Sequence, residues 1–283
     1  MELFVIVLLL IVAGAVSGLV GSLTGLGGAV VMIPVLVIAF GTPFPEAAGA
    51  GLITVLATSS TSGAAYLKER LTDLRIGMFL EIATVPGALI GATLTIFLTH
   101  ASLDRALLIG LGGVLLATIP SALGRGPGAN APAAAPDARS ARLGLSGSYV
   151  DETGRTNPYR AARTTPALGV AFGAGLVSGM FGIGGGVFKV TALAHYLRLP
   201  MKVATATSNF MIGVTAAAGA GVFLAAGYVD PFVAAPAALG TAAGALLGSR
   251  ILPGLRNSTV RYLFLPVIAV LAVETILRGV GLP

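Results

Sequence analysis

The chain repeats itself, and this limits what it can fold into more than any other feature. Gly182-Ile183-Gly184-Gly185-Gly186-Val187-Phe188-Lys189 answers Gly25-Leu26-Gly27-Gly28-Ala29-Val30-Val31-Met32 at an offset of 157 positions. At that offset Gly18, Leu19 and Val20 meet Gly175, Leu176 and Val177, while Pro43 meets Pro200, Ala47 meets Ala204, Thr58 meets Thr215 and Asp73 meets Asp230. Gly87-Ala88-Leu89 and Gly91 meet Gly244-Ala245-Leu246 and Gly248. A row of glycines in one ungapped register means two copies of one unit. Glycine costs about 1 kcal/mol against alanine inside a helix, so its recurrence in apolar runs needs a reason other than helix propensity.

Composition then sets the class. The 283 residues are 55% hydrophobic and 10% charged, whereas soluble domains carry about 25% charged residues. This is an integral membrane protein, rich in the small residues that let helices approach closely in lipid. The net charge of +6 does not point to nucleic acid, because the basic residues follow loops rather than forming a stripe. With no cysteine and only His100 and His195, disulfides, iron–sulfur clusters and thiolate zinc sites are excluded, and no cofactor is expected. The start, Met1-Glu2-Leu3, lacks the basic region of a signal peptide, so the first apolar segment reads as retained.

Apolar segments fall at Leu3–Leu23, Ala29–Phe40, Ala47–Leu67, Ile76–Leu98 and Leu103–Leu123, and again at Pro166–Phe181, Val187–Leu197, Val203–Ala226, Phe232–Leu252 and Val260–Leu277. A full span takes about 20 residues, and the second segment of each copy is shorter. Each copy therefore predicts a helix, a glycine break and a short helix, followed by three ordinary spans. The expected fold is an all-α polytopic membrane protein: repeat 1 over 1–123, a linker over 124–165 and repeat 2 over 166–283. The linker, rich in Ala, Pro, Gly and Arg, is expected to be flexible and without a core.

Basic residues fix the orientation. Lys68, Arg70 and Arg75 share one loop; Arg125, Arg139, Arg142, Arg155, Arg160 and Arg163 lie in the linker; Arg198 with Lys202, and Arg250 with Arg256 and Arg261, mark two more. Only Arg105 and Arg278 fall on the poor side, and Lys189 stands within the membrane. The division is met if the N-terminus is outside, each broken pair returns to its starting side and three crossings follow. The copies are then inverted relative to each other, as in many secondary transporters. The uncharged tips, Thr24 and Phe181, favour re-entrant or incompletely crossing pairs, since irregular backbone at membrane depth must be buried in protein or line a cavity.

A nucleotide reading of Gly182–Gly186 fails. It would need a preceding strand and an acid about 20 residues on, and no Asp or Glu occurs between Glu152 and Asp230. An anion site is the remaining functional reading: Gly27, Gly28, Gly184, Gly185 and Gly186 precede short helices whose first N–H groups are free and whose dipoles favour negative charge. Tight packing is the plain alternative, as expected for Gly14/Gly18, Gly87/Gly91 and Gly244/Gly248. Lys189 is the sharper signal, because a lysine at membrane depth costs roughly 2.5–3.5 kcal/mol. It lies about 10 Å from Gly182 and about 13 Å from Arg198 along a helix, too deep to reach water easily. It is a substrate ligand, a cap on carbonyls freed by the break, or a partner of Glu81.

Thr207, Ser208 and Asn209 could hydrogen-bond an oxyanion at similar depth, and Thr58 and Ser59 open a hydroxyl run in the first copy. Bonding between helices is their alternative role. Asp73 and Asp230 read as helix N-caps. Glu81 and Glu274 are the carboxylates well inside apolar segments; either could carry a coupling proton, or be solvated within about two turns of a helix end.

Gly175-Leu176-Val177-Ser178-Gly179-Met180-Phe181-Gly182-Ile183-Gly184-Gly185-Gly186, followed by Lys202-Val203-Ala204-Thr205-Ala206-Thr207-Ser208-Asn209-Phe210-Met211, resembles the sulfite exporter TauE/SafE family of bacterial membrane permeases. Gly25-Leu26-Gly27-Gly28 resembles its N-terminal counterpart, so the likeness covers nearly everything outside the linker. The resemblance implies a plasma-membrane transporter exporting sulfite or related organosulfonates. The first copy departs at Ala50-Gly51-Leu52, opposite Thr207-Ser208-Asn209, which argues against a site built equally by both halves. The expected partners are a small anion and the bilayer, with no nucleic acid and a homodimer left open. Two other readings stand: import of another small organic anion, and an intramembrane hydrolase using Ser146 of Gly144-Leu145-Ser146-Gly147.

The orientation has a direct test. Single cysteines placed in Gly41–Glu46 or Gly227–Asp230 should label with an impermeant thiol reagent in intact cells, and one at Arg139 should not. Labelling at Arg139 would reverse the assignment.

Overall fold

The computed structural model describes residues 2–24, 27–123, 137–150, 155–251 and 257–281; Gly25, Leu26, Arg125 and Arg256 fall outside them. The first copy forms α1 (Glu2–Thr24), α2 (Ala29–Ala39), α3 (Phe44–Lys68), α4 (Leu74–His100) and α5 (Asp104–Leu123). The middle segment holds α6 (Ala138–Leu143), β1 (Ser146–Val150) and β2 (Thr156–Arg160). The second copy forms α7 (Thr164–Phe181), α8 (Gly186–Thr191) running into a π-helical turn at Ala192–Tyr196, α9 (Met201–Ala225), α10 (Pro231–Ile251) and α11 (Asn257–Val280).

The 157-residue offset reappears in the element ends: α3 and α9 start at 44 and 201 and stop at 68 and 225, and α2 and α8 start at 29 and 186. Asp73 caps α4, its Oδ1 accepting from the Ile76 N–H at 3.0 Å, and Asp230 accepts from the Phe232 N–H at 2.9 Å. Among the described residues α1, α4, α7, α9 and α10 are long and apolar enough to cross a membrane, whereas α2, with 11 residues, is not. At 25 residues α3 has the length, but glycines and the hydroxyls of Thr58–Ser62 dilute it. Phe4, Ile82, Phe97, Phe232, Leu239 and Val270 point outward, as lipid requires of an all-α membrane protein.

The copies interlock instead of lying side by side. The most extensive helix contacts are α1 with α10, α4 with α7, α5 with α11 and α3 with α9, each joining one copy to the other. Exchanging the copies turns α1/α10 into α7/α4 and leaves α3/α9 and α5/α11 as they are. Glycines make the first two contacts possible. A Cβ on Gly18 would stand 2.0 Å from the Thr241 carbonyl oxygen, and on its counterpart Gly175, 2.1 Å from that of Thr84. One on Gly244 would stand 1.9 Å from the Ala15 oxygen, and on its counterpart Gly87, 2.4 Å from that of Phe172. Backbones touch there, which maximises dispersion contact where lipid offers helices no hydrophobic drive to associate.

The middle segment corrects the expectation of a flexible linker. Its described part is folded. Asp137 caps α6, accepting from the Ser140 N–H at 2.7 Å, and also from the Thr164 N–H at 2.8 Å and hydroxyl at 2.6 Å, tying α6 to the start of α7. Slight burial works against its charge, but these hydrogen bonds and Arg139 outweigh it and hold the carboxyl below its ordinary value. The tie is therefore complete above the usual carboxylate range and weakens as pH falls through the lowered value. β1 and β2 pair antiparallel, Ser146 opposite Arg160 and Val150 opposite Thr156. Leu145, Tyr159 and Ala161 are buried with Ile76, Leu80, Leu197, Leu199 and Val203. The described part of the segment shares its buried side chains with the helix ends it covers. The Tyr159 hydroxyl donates to Asp73 at 2.9 Å, and burial together with Asp73 raises that phenol's pKa.

Gly244→Val should fail at the α1/α10 contact. The expected result is a large loss of monodisperse detergent-solubilised protein, while Gly221→Ala, which meets nothing within 4 Å, leaves the yield near wild type.

Candidate functional site

The two glycine breaks meet at the centre of the molecule. α7 stops where Gly182, Gly184 and Gly185 take φ of +74°, +78° and +65°, and the first break contains Gly27 at +82°. L side chains rarely adopt that region, so glycine is required. Gly27, Gly28 and Gly182–Gly186 are all buried. A Cβ on Gly27 would lie 3.4 Å from Val55 and 3.6 Å from Ile212 and the Ile183 oxygen; one on Gly184 would lie 2.8 Å from Ile212 and 3.1 Å from Val55. Val55 and Ile212 are repeat counterparts, so each break packs against the same apolar pair, and the irregular backbone is buried in protein as membrane depth demands.

Several of these glycines make close contacts with protein. A Cβ on Gly185 would stand 2.5 Å from the Ala174 oxygen, and one on Gly28 would stand 2.9 Å from Ser17 Oγ and 3.1 Å from Thr58 Oγ1. The Ser17 hydroxyl donates to the Gly28 carbonyl, while that of Ser208 donates to the Gly186 carbonyl at 3.3 Å. Beside Gly185 stands Ser178, whose fully buried hydroxyl has no hydrogen-bond partner. A buried orphan of this kind costs about 1–3 kcal/mol, so it asks for an explanation.

Lys189 follows one turn later, its N–H donating to the Gly185 carbonyl at 3.1 Å. Its side chain is fully buried and its ammonium lies 3.7 Å from Glu81 Oε1. The ammonium donates to the Met211 carbonyl at 3.0 Å and to the Thr215 hydroxyl. Thr215 in turn donates to Glu81, 3.0 Å from either carboxylate oxygen, with Thr84 Oγ1 at 3.4 Å. Three elements thus supply one buried polar cluster: α4 gives Glu81 and Thr84, α8 gives Lys189, and α9 gives Thr215 and the Met211 carbonyl. Opposite charges near 4 Å attract by on the order of 4 kcal/mol at an effective dielectric near 20, enough to hold the pair only because further hydrogen bonds satisfy it. Glu81 is 3% exposed, so its expected solvation near a helix end is not realised. α4 reaches seven residues before it, and the middle segment covers that end.

The remaining candidates divide into separate places. Thr207 accepts from the Asp73 N–H at 3.0 Å, bracing the start of α4. Asn209 lies between α3 and α9: its carbonyl accepts from the Ser59 hydroxyl at 2.5 Å, its side-chain oxygen from Ser62 at 3.5 Å, and its amide donates to Thr205 at 3.3 Å. Thr58 donates to the Thr54 carbonyl at 3.0 Å. Glu274 pairs with Arg278 at 3.6 Å on a partly exposed helix end. Ser146 is exposed on β1, and among the described residues no group of three His, Cys, Asp or Glu could hold a metal ion.

Thr215, Thr84 and Ser178 are the residues that sequence reasoning missed as members of the site. Thr215 had a signal, since it is the counterpart of Thr58. Ser178 lies within the quoted glycine motif, but its lack of a partner is visible only in three dimensions.

Comparison with known proteins places the chain in context. Residues 10–275 match the family described as sulfite exporter TauE/SafE. The chain is 28% identical over 279 residues to the probable membrane transporter protein YunE of Bacillus subtilis, covering 96% of this chain and 98% of that protein. It is 26% identical over 246 residues to the probable membrane transporter protein YdhB of the same organism, covering 87% and 88%. No solved structure matches.

Removing one member of a buried ion pair leaves the other uncompensated, at a cost of about 3–5 kcal/mol. Lys189→Met, which copies Met32 of the first repeat, should therefore lower the unfolding temperature in detergent clearly, and adding Glu81→Gln should recover most of that loss. An unchanged unfolding temperature for Lys189→Met alone would show that the pair is not formed.

Proposed function

The chain belongs to the sulfite exporter TauE/SafE family and is a multi-pass membrane transporter; from that premise we propose that it moves small sulfur oxyanions, such as sulfite or organosulfonates, out across a bacterial plasma membrane. The observation that carries this reading is a fully buried lysine on the short helix after the second glycine break, together with an unpartnered buried hydroxyl beside that break at Gly185. Lys189 supplies the charge an oxyanion needs and Ser178 supplies an unused hydrogen-bond donor. Charge-assisted bonds of this kind contribute about 1.5–3 kcal/mol each. Gly27, Gly28 and Gly184–Gly186 shape the break, and Ser208, Thr207, Asn209, Thr58 and Ser59 brace the helices around it. The site is asymmetric, because Met32 and Ala238 stand where a second lysine and a second glutamate would be.

Transport by alternating access suits two interlocked copies taken as inverted repeats. Lys189 is sealed from water in this structure, as an occluded state requires. One end of the helices is covered by the α6–β1–β2 segment. At Gly41–Phe44 a cavity of about 740 Å³ opens, with Arg278 and Asp104 on its wall; in the basic-inside orientation it is the outer vestibule through which the anion leaves.

Proteoliposomes holding the purified protein should release sulfite and a small sulfonate faster than protein-free vesicles, and faster than they release a carboxylate of similar size. Release of the carboxylate alone would refute the substrate class. Ser178→Ala should keep or raise thermal stability, since it removes a buried hydroxyl that has no protein partner, while its half-saturating anion concentration rises about tenfold.

A further inference from the structure

The Lys189–Glu81 pair raises a question that neutralising a lysine does not answer. A lone buried lysine could be replaced by an apolar residue, as Met32 shows in the other copy. We propose that Glu81 is the carrier of a coupling proton: it takes up a proton when an anion binds Lys189 and gives it back when the anion leaves. Anion and proton then cross together in the same direction. This rests on the transport reading above and adds its energetics.

Charge accounting in a dry site carries the inference. With no anion present, the Lys189 ammonium and the Glu81 carboxylate are 3.7 Å apart and sum to zero. A monoanion on Lys189 with Glu81 still ionised would leave a net negative charge in apolar surroundings. Protonated Glu81 without the anion would leave a net positive one. Both are disfavoured by desolvation, which grows steeply with uncompensated charge. Two neutral states remain: the empty pair, and the anion-loaded lysine beside a neutral carboxylic acid. If only these reorganise between the two sides, transport is coupled.

The geometry provides for the exchange. Thr215 accepts from Lys189 and donates to Glu81, so one hydroxyl touches both partners. When the carboxyl gains its proton it becomes a donor, and the Thr215 hydroxyl at 3.0 Å is the nearby acceptor, free then to turn its own proton toward Thr84 Oγ1 at 3.4 Å. The Met211 carbonyl holds the ammonium in place while its anionic partner changes.

No other described titratable group competes for this role. α7, packed along α4, carries none. α9 carries Lys202 in its first turn, α3 carries Glu46 at its start and Tyr66 and Lys68 near its end, and α5 carries Asp104 and Arg105 in its first turn. The Tyr66 hydroxyl donates to the Ser22 carbonyl. Beyond Lys189, the π turn carries His195, which is exposed, and Tyr196. α4 itself adds Arg75 and His100 near its ends. Tyr159 of the covering segment is committed to Asp73. Among the described residues Glu81 forms an ion pair with Lys189 and with no other cation.

The test uses the whole protein in proteoliposomes with a pH-sensitive dye inside, and methanesulfonate as the anion, because it stays ionised and brings no proton of its own. In wild type, an outward methanesulfonate gradient should carry protons out with it, about one per anion. Glu81→Gln cannot take up or release the proton, so net methanesulfonate flux should fall at least tenfold, while exchange of internal for external methanesulfonate persists. Sulfonate flux without proton movement in wild type overturns the inference, as does a Glu81→Gln variant whose net flux keeps the wild-type pH dependence. If the glutamine variant does not fold, the wild-type proton count decides alone. Wild-type protein that moves neither sulfite nor methanesulfonate contradicts the transport reading, a result distinguishable from sulfonate flux without protons.

Discussion

A charged pair with no water around it is the constraint on which the rest of this structure depends. Lys189 and Glu81 come from different copies of the repeat, and the helices that bear them must be held so that 3.7 Å, not 6 Å, separates the charges. At the effective dielectric of a protein interior the attraction varies inversely with distance, while each desolvation penalty stays. A loose pair would therefore be worse than an apolar one. Thr215, Thr84 and the Met211 carbonyl supply the bonds that make the arrangement tolerable, and all are on α4 or α9.

That precision comes from the interlocking of the copies. α4 is clamped to α7 through Gly87, Gly91, Gly175 and Gly179, four positions where an added methyl group would meet backbone. α10 is clamped to α1 in the same way through Gly14, Gly18, Gly240 and Gly244. The clamps share one geometry, yet the chemistry between them is confined to one side: Lys189 and Glu81 face Met32 and Ala238 across the repeat relation. The repeat keeps glycine at Gly18/Gly175, Gly87/Gly244 and Gly91/Gly248, where backbones touch, but does not keep the charged pair.

Much of this was legible in the sequence, and the exceptions have physical causes. The helices, the two breaks and the short helix after each followed from apolar runs of defined length interrupted by glycine, because in lipid every backbone group must be satisfied within its own segment. Asp73 and Asp230 were readable as caps because capping is local. Glu81 was readable as one possible partner of Lys189, but the sequence could not choose between that pairing and a cap on freed carbonyls, since 108 positions separate the two residues and the α4/α7 and α4/α9 contacts bring them together. The middle segment misled for the opposite reason. Its few apolar residues, Leu145 and Tyr159 among them, cannot form a core alone, and composition cannot show that membrane helix ends will supply one. The packing role of Gly185 was also hidden, since a tight backbone contact and an approach to ligand ask for the same residue.

The central claim is that an anion takes the place of the Glu81 carboxylate at Lys189. Infrared difference spectroscopy on the purified protein, with and without methanesulfonate, observes that exchange at the carboxyl group itself. The account predicts that a protonated-carboxyl carbonyl band appears as a carboxylate band disappears on adding the anion, and that both changes are absent in Glu81→Gln. A carboxylate band that stays unchanged while methanesulfonate binds would contradict it.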